Sequence, residues 1–365
     1  MKRTSDGPPD GASTAGPAAP TGFLAEVRDA VSVRAALLVI GVLLLQLAFI
    51  TSYIGAFHEP RPHEVPLAVA APDPLTTAGT VRGLAALPGD PLDPRAVADE
   101  AEARRQIENR DVDGALIVDP RGTTDRLLVA SAAGASLADA LAGAVGAAEQ
   151  RQGRTVRVTD VVPNAAGDAR GLSSFYLVIG WCVGGYLCAA VLAISAGARP
   201  ANIHRALIRL GVLLLYSIAA GLLGTVIAGP VLQALPGGVA PLWGLGTLLV
   251  FTVGAITLAL QGLLGIVGIG LAIALVVVLG NPSAGGAYPW PMLPPFWSAI
   301  GPALPPGAGT FAARSISYFH GHAVGGPLLV LAAWAVAGSV VTLVCATART
   351  LTGDRPAAPA GTTAP

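Results

Sequence analysis

The chain holds a single lysine, Lys2, and has no Asp, Glu, Lys or Arg anywhere from 210 to 313. A P-loop of the form G-x-x-x-x-G-K-[ST] needs its lysine on the phosphates, so no such motif exists here and any ATP must be spent by another polypeptide. Charged residues make up 12% of the chain, against roughly 25% in soluble domains, and mean hydropathy is +0.64. Together these exclude an ordinary soluble enzyme. Cysteine is scarce too. Cys182, Cys188 and Cys345 all fall in apolar stretches and none lies in 58–172, so there is no disulfide framework and the thiols read as small buried hydrophobes. In HEPRPHE, His58 and His63 stand five apart with Pro60 and Pro62 between, whereas H-E-x-x-H needs histidines four apart on one helical face. His320-Gly321-His322 offers two metal ligands without a third. G-x-S-x-G does not occur, and GASLA around Ser136 ends in Ala. We therefore expect no catalytic residue, cofactor or metal, no nucleic-acid partner, and a protein that is not an enzyme.

What is present is apolar length. A helix crossing a hydrocarbon core of about 30 Å needs about 20 residues. The run 35–57 is one such span, longer than the usual signal-peptide core and without an A-x-A-like cleavage site, so it reads as an uncleaved anchor. A second lies in the charge-free window 171–198. The stretch 210–280 divides at AGPVLQALPGGVAP and QGLL into three more, about 206–228, 240–260 and 262–280, and a last occupies about 325–347. Six spans put both termini on one side. Lys2, Arg3, Arg28, Arg34, Arg199, Arg205, Arg209, Arg349 and Arg355 all fall on that side, which the positive-inside rule makes the cytoplasm. Residues 56–172 then face outward with 12 Arg against 17 Asp and Glu, and the net charge of zero conceals −5 outside and +5 elsewhere.

The remaining segments differ in kind. Residues 1–21 and 349–365 are Pro/Gly/Ala/Thr-rich and read as disordered cytoplasmic tails. Phe23, Leu24, Val27, Ala30 and Val31 recur at helical spacing within 22–57, which fits either a short interfacial helix leading into the first span or that span's ragged start. Residues 58–172 alternate VPLAVA, TTAGTVRGLAAL, AVADEAEARRQIENR, DGALIVDP, RLLVASA, SLADALAGAVGAAEQR and TVRVTDVVP. Strand-like and helix-like stretches in turn predict an α/β domain inserted between spans one and two. The expected fold is thus an α-helical polytopic membrane protein of six transmembrane helices, one plus five, with an extracytoplasmic α/β lobe and a five-helix domain over 173–348.

Within that last domain, 281–324 forms a proline-rich outer loop. Pro289, Trp290, Pro294, Pro295, Trp297, Pro305 and Pro306 forbid a regular helix yet are too apolar for solvated coil. Non-helical backbone at membrane depth survives only where protein or a water-filled cavity covers it. The loop is therefore either an aromatic belt at the outer interface or a re-entrant plug in the mouth of a pathway. Apart from Arg209 at the cytoplasmic end of the third, none of the six spans carries Asp, Glu, His, Lys or Arg, so a proton relay has little to run on. Their small residues, Gly180-x-x-x-Gly184 and the series Gly262, Gly265, Gly268, Gly270, supply close-packing surface within one bundle or at a dimer seam.

These residues resemble a family. The order of one span, a lobe entered by VPLAVA and containing DVDGALIVDP, then DVVPNAAGDARGLSSFYLVIGWCVGGYL and GNPSAGGAYPWPMLPPFWSAIGPALPPGAGTFAARSISYF, is similar to the ABC-2 type permeases. Within them it is most similar to the YhgE/Pip (phage infection protein) branch, over about 30–348. The resemblance implies a membrane subunit that exports a hydrophobic or amphipathic compound, working among membrane lipids as a homodimer or heterodimer of permeases with a separate ATP-binding cassette ATPase. It also implies a cytoplasmic helix between spans two and three that touches the ATPase, matched here by 199–209 with Arg199, His204, Arg205 and Arg209, and short re-entrant helices before span six. The alternative is a cell-envelope scaffold or surface receptor that transports nothing itself.

Overall fold

The computed structural model describes residues 33–353. The expected tail over 1–21, the expected interfacial helix that follows it, and the end of the other tail from 354 lie outside the described residues. The chain divides into two units, 1–47 and 48–365. Of the first, the described part is the opening of helix α1 (Val33–Phe57), whose Leu37, Val39, Ile40 and Val42 are exposed. Exposed apolar side chains in succession along a helix suit a lipid surrounding rather than water.

The second unit carries an α/β lobe and a helical bundle. In the lobe, β1 (Val65–Ala70), α2 (Pro74–Ala85), β2 (Leu92–Ala96), α3 (Glu100–Glu108), β3 (Gly114–Ile117), β4 (Thr124–Val129), α4 (Ala135–Arg151) and β5 (Thr155–Asp160) follow in order. The sheet runs β2-β1-β3-β4-β5, parallel except where β3 meets β4. Helix starts are set locally: Asp73 accepts a hydrogen bond from the amide of Thr76 and Asp99 one from Glu102, each at 2.8 Å, satisfying amides that the first turn leaves unpaired. One sheet face packs Leu67, Leu116 and Leu127 under Leu84 and Leu141 of α2 and α4. The other packs Ala68, Ala115 and Leu128 under Ala103 and Ile107 of α3. Strand β2 is absent from the sequence reading because Pro94 at its centre argues against a strand. It survives at the sheet edge, where the proline's missing N–H is not needed.

Among the described residues, five helices are long and apolar enough to cross a membrane: Ala35–Phe57 within α1, α5 (Ser173–Ala196), α6 (Ile203–Val226, continued by a π-helical turn to Val231), α7 (Val239–Leu264) and Gly325–Ala348 within α11 (Gly325–Gly353). This is the architecture of a polytopic membrane protein. Helix α7 is the most buried of the five and packs against α5, α6 and α11, because small residues let the backbones close. A side chain at Gly185 of α5 would meet the carbonyl oxygen of Val250 at 2.6 Å, and one at Gly338 of α11 the Ala255 backbone at 2.7 Å.

The expected span over 262–280 takes a different form. The helix break falls at Gly265, whose φ of 64° a side chain would strain, so α7 absorbs 262–264. What returns is Val267–Gly280, α8 (Val267–Ile273) followed by a π-helical stretch. At about 1.5 Å per residue those residues reach about 21 Å, short of a full hydrocarbon core. The segment nonetheless leads from one end of the bundle to the other. At its start, Arg199 Nη2 from the turn between α5 and α6 donates to the Leu263 carbonyl at 2.9 Å. At its finish, Ser52 Oγ of α1 donates to the Val278 carbonyl at 2.6 Å and Asn281 bonds the Tyr53 hydroxyl.

The proline-rich loop also differs from expectation, in that it is largely helical. Pro295 opens α9 (Pro295–Ile300) and Pro305 and Pro306 open α10 (Pro305–Tyr318). Proline fits the first helical positions, where its missing N–H costs nothing. Helix α10 is buried on almost every side, between α5 and α7 of the bundle and the lobe.

Candidate functional site

Three regions combine unusual chemistry with placement, and the first is the turn at the end of the bundle away from the lobe. Gly197 ends α5 and Asn202 caps α6, accepting from the Arg205 amide at 3.0 Å. The residues at 203–209 are the opening turns of α6, so 199–209 is no separate helix. Arg199, His204 and Arg205 are exposed there. Arg209 is not: it is 4% exposed and its Nη2 donates to the carbonyls of Ala196 and Gly197 at 2.8 and 2.7 Å. Those carbonyls end α5, so this arginine closes a helix terminus rather than presenting a charge.

The second region is an apolar groove of about 500 Å³ in the half of the bundle nearer the lobe, between α5 and α6. Tyr176, Leu177, Gly180, Gly184, Tyr216 and Gly224 are among its walls, and its volume lies within the range of about 300–1,000 Å³ that holds small ligands. Trp181 is fixed beside it by an Nε1 bond to the Ala220 carbonyl at 3.1 Å. Of the glycines here, Gly180 faces open space, a side chain at Gly184 would meet the Tyr216 hydroxyl of α6 at 3.0 Å, and the neighbouring Gly185 makes the close contact to α7.

The third region is the junction between loop and lobe. Arg314 of α10, 3% exposed, donates from Nη1 to the Gly285 carbonyl at 2.6 Å and from Nη2 to Gly286 and Gly171 at 2.8 and 3.2 Å. The Tyr318 hydroxyl donates to Asp168 at 2.8 Å, and the same carboxylate accepts from the Ser173 amide opening α5. From the lobe, Arg110 Nη1 donates to the Phe311 carbonyl at 3.0 Å and Ser315 Oγ at 2.7 Å, with its guanidinium 3.6 Å over the Phe311 ring. Burial lowers Arg110 to about 9, helped by the neighbouring Arg314 charge and opposed by Asp113. Burial pushes Asp113 up to about 6, against the pull of Arg110. Nothing in the sequence pattern singled out Arg314. Its one signal was position, as the charge that ends the uncharged run 210–313.

The loop residues named from sequence mostly serve this junction. Trp290 stacks on Phe311 with centroids 5.4 Å apart and donates to the Ser283 carbonyl at 3.0 Å. Buried Pro289 abuts Gly134 of the lobe. Pro294 precedes α9, and Trp297 on α9 packs with Ala56 and Leu293. Pro305 and Pro306 are buried at the start of α10. Two of the histidines bond backbone: His58 lies against the Ile54 carbonyl at 3.0 Å and His322 against that of Glu108 at 3.1 Å. Among the described residues no group of three or more His, Cys, Asp or Glu stands close enough to hold a metal. The chain matches no protein-family model, no curated protein and no solved structure.

Proposed function

We propose that the chain is the membrane permease subunit of an ABC-2 type exporter, multi-pass in the cell membrane with both termini cytoplasmic. It moves a hydrophobic or amphipathic substrate outward on the energy of a separate ATPase, in a homodimer or heterodimer of permeases. The observation that carries this reading is the apolar groove between α5 and α6, whose few polar groups are Ser173, Tyr176 and Tyr216 among Leu, Ile, Ala and Gly. A charged solute finds no counter-ion there, whereas an acyl or polycyclic body finds apolar walls to bury against. The exposed Arg199, His204 and Arg205 at the opposite end support contact with an ATPase. Arg209 is excluded from that contact by its burial.

The test is reconstitution of the full chain with candidate ATPase subunits. Gly180→Leu fills open space in the groove and should abolish export with folding and ATPase association intact. Arg205→Glu should reverse the pattern, losing association. Full export by Gly180→Leu in an active reconstituted system rejects the reading.

The second reading, a scaffold or surface receptor, is favoured by one observation. Strand β5 is the last strand of the sheet, and Val158 on it is 47% exposed. Open strand edges pair readily with other chains. A Val158→Lys variant that stops binding of an envelope partner, in a chain that exports nothing with any ATPase, decides for it.

A further inference from the structure

At the junction of the lobe with α10 there is a small cavity of about 150 Å³ whose lining includes Arg110, Asp113, Pro289, Trp290, Phe311 and Arg314. Two guanidinium groups on one cavity of this size are not explained by what they already bind. The terminal nitrogens of Arg314 are occupied by the carbonyls described above, but its Nε–H is buried and has no partner among the described residues. Arg110 uses only Nη1, and among the described residues its Nε and Nη2 make no hydrogen bond. A buried N–H without an acceptor costs free energy, so an orphaned donor on a cation that lines a cavity marks a place for an acceptor. Two cations against one carboxylate leave the cavity net positive, and the surrounding Trp290, Phe311 and Pro289 lower the local dielectric, which strengthens any charge-assisted bond made there.

We propose that this cavity binds one compact oxyanion, a phosphate or carboxylate group, on Arg110 and the Nε–H of Arg314, with Asp113 as the opposing charge that limits its affinity. The group arrives either free in solution or as the head of an amphiphile, since the cavity lies at the lobe end of the bundle. The assignment is independent of export: a chain that transports nothing still has two arginines on this cavity.

The test uses the full chain purified in maltoside micelles, which carry no phosphate, and isothermal titration with two probes, inorganic phosphate and dihexanoyl phosphatidic acid. One saturable site per chain is expected. Asp113→Asn removes the repelling carboxylate without touching a structural bond and should tighten binding about tenfold, whereas Arg110→Gln should weaken it about tenfold or more. Binding of both probes with that dependence assigns a free oxyanion site. Binding of the phosphatidic acid alone, with the same dependence, assigns a headgroup site. Absence of binding by either probe overturns the proposal, and so does binding that Asp113→Asn leaves unchanged or weakens. Because Arg110 also ties the lobe to α10, loss in Arg110→Gln counts only if its thermal unfolding matches the parent, and the Asp113 variant carries the test alone otherwise.

Discussion

Arg314 replaces three backbone contacts at once. Its guanidinium gathers the carbonyls of Gly171, Gly285 and Gly286, which belong to the approach to α5 and to the loop, so one side chain fixes where two distant segments meet. Arg314→Met keeps the bulk and removes the donors. Buried acceptors left without partners cost about 1–3 kcal/mol each, and we expect a loss of about 3 kcal/mol or more, read as a clear drop in the thermal midpoint of the full chain in micelles. A second residue sets a pH dependence. Glu149 is 2% exposed beside Asp125 and Arg154, and burial, aided by the Asp125 charge, pushes its carboxyl up to about 7 from 4.5. Between those values the folded chain holds a proton that the unfolded chain has released, so lobe stability falls as pH rises through that window. The shift corresponds to at most about 3 kcal/mol. Glu149→Gln keeps the neutral hydrogen-bonding group and should flatten the pH dependence, with its gain in thermal midpoint largest at about pH 8. A gain at low pH instead would contradict the assignment of the proton to this pair.

Elements with a regular period were legible and those built on exceptions were not. The alternation of VPLAVA with polar helices leads directly to β1 and its neighbours, because a buried parallel strand is a short apolar run and an exposed helix is not. Strand β2 hid behind Pro94, and α10 behind Pro305 and Pro306, since the proline rule that forbids helix interiors also favours helix starts. The sequence puts the break between α7 and α8 at QGLL, whereas it falls at Gly265, because sequence alone does not say which of several glycines takes positive φ. Likewise Gly180 and Gly184 carried the motif while Gly185, one residue on, carries the contact. That contact predicts that Gly185→Val forces α5 off α7. Overpacking costs about 1–3 kcal/mol, so its thermal midpoint should fall well below that of Gly180→Leu, which enters open space. Equal midpoints would show that the helices do not meet at Gly185.

At the scale of the whole molecule, the composition and the uncharged run made the membrane architecture plain, and the inserted lobe was legible as a polar, alternating interruption. The way lobe and loop lock together was not, because Arg110, Asp168, Arg314 and Tyr318 are scattered singly along the chain and only folding collects them. The proposed sidedness has its test at this scale. In a cysteine-free background, Arg157→Cys on the lobe should react with a membrane-impermeant maleimide added to intact cells, and Arg205→Cys only after lysis. The opposite pattern would invert the topology.

Phe319, fully enclosed, completes the lobe core against Ala68, Ala103 and Leu128, and Met292 joins the other face. Both are synthesised long after β5 has left the ribosome, by about ten to thirty seconds for Phe319 at about 5–20 residues per second. During biogenesis the lobe must therefore wait unfinished, with two apolar gaps open, until those segments follow. Quality control meets an incomplete domain in every nascent chain, and the last segments to emerge serve as its closing stones.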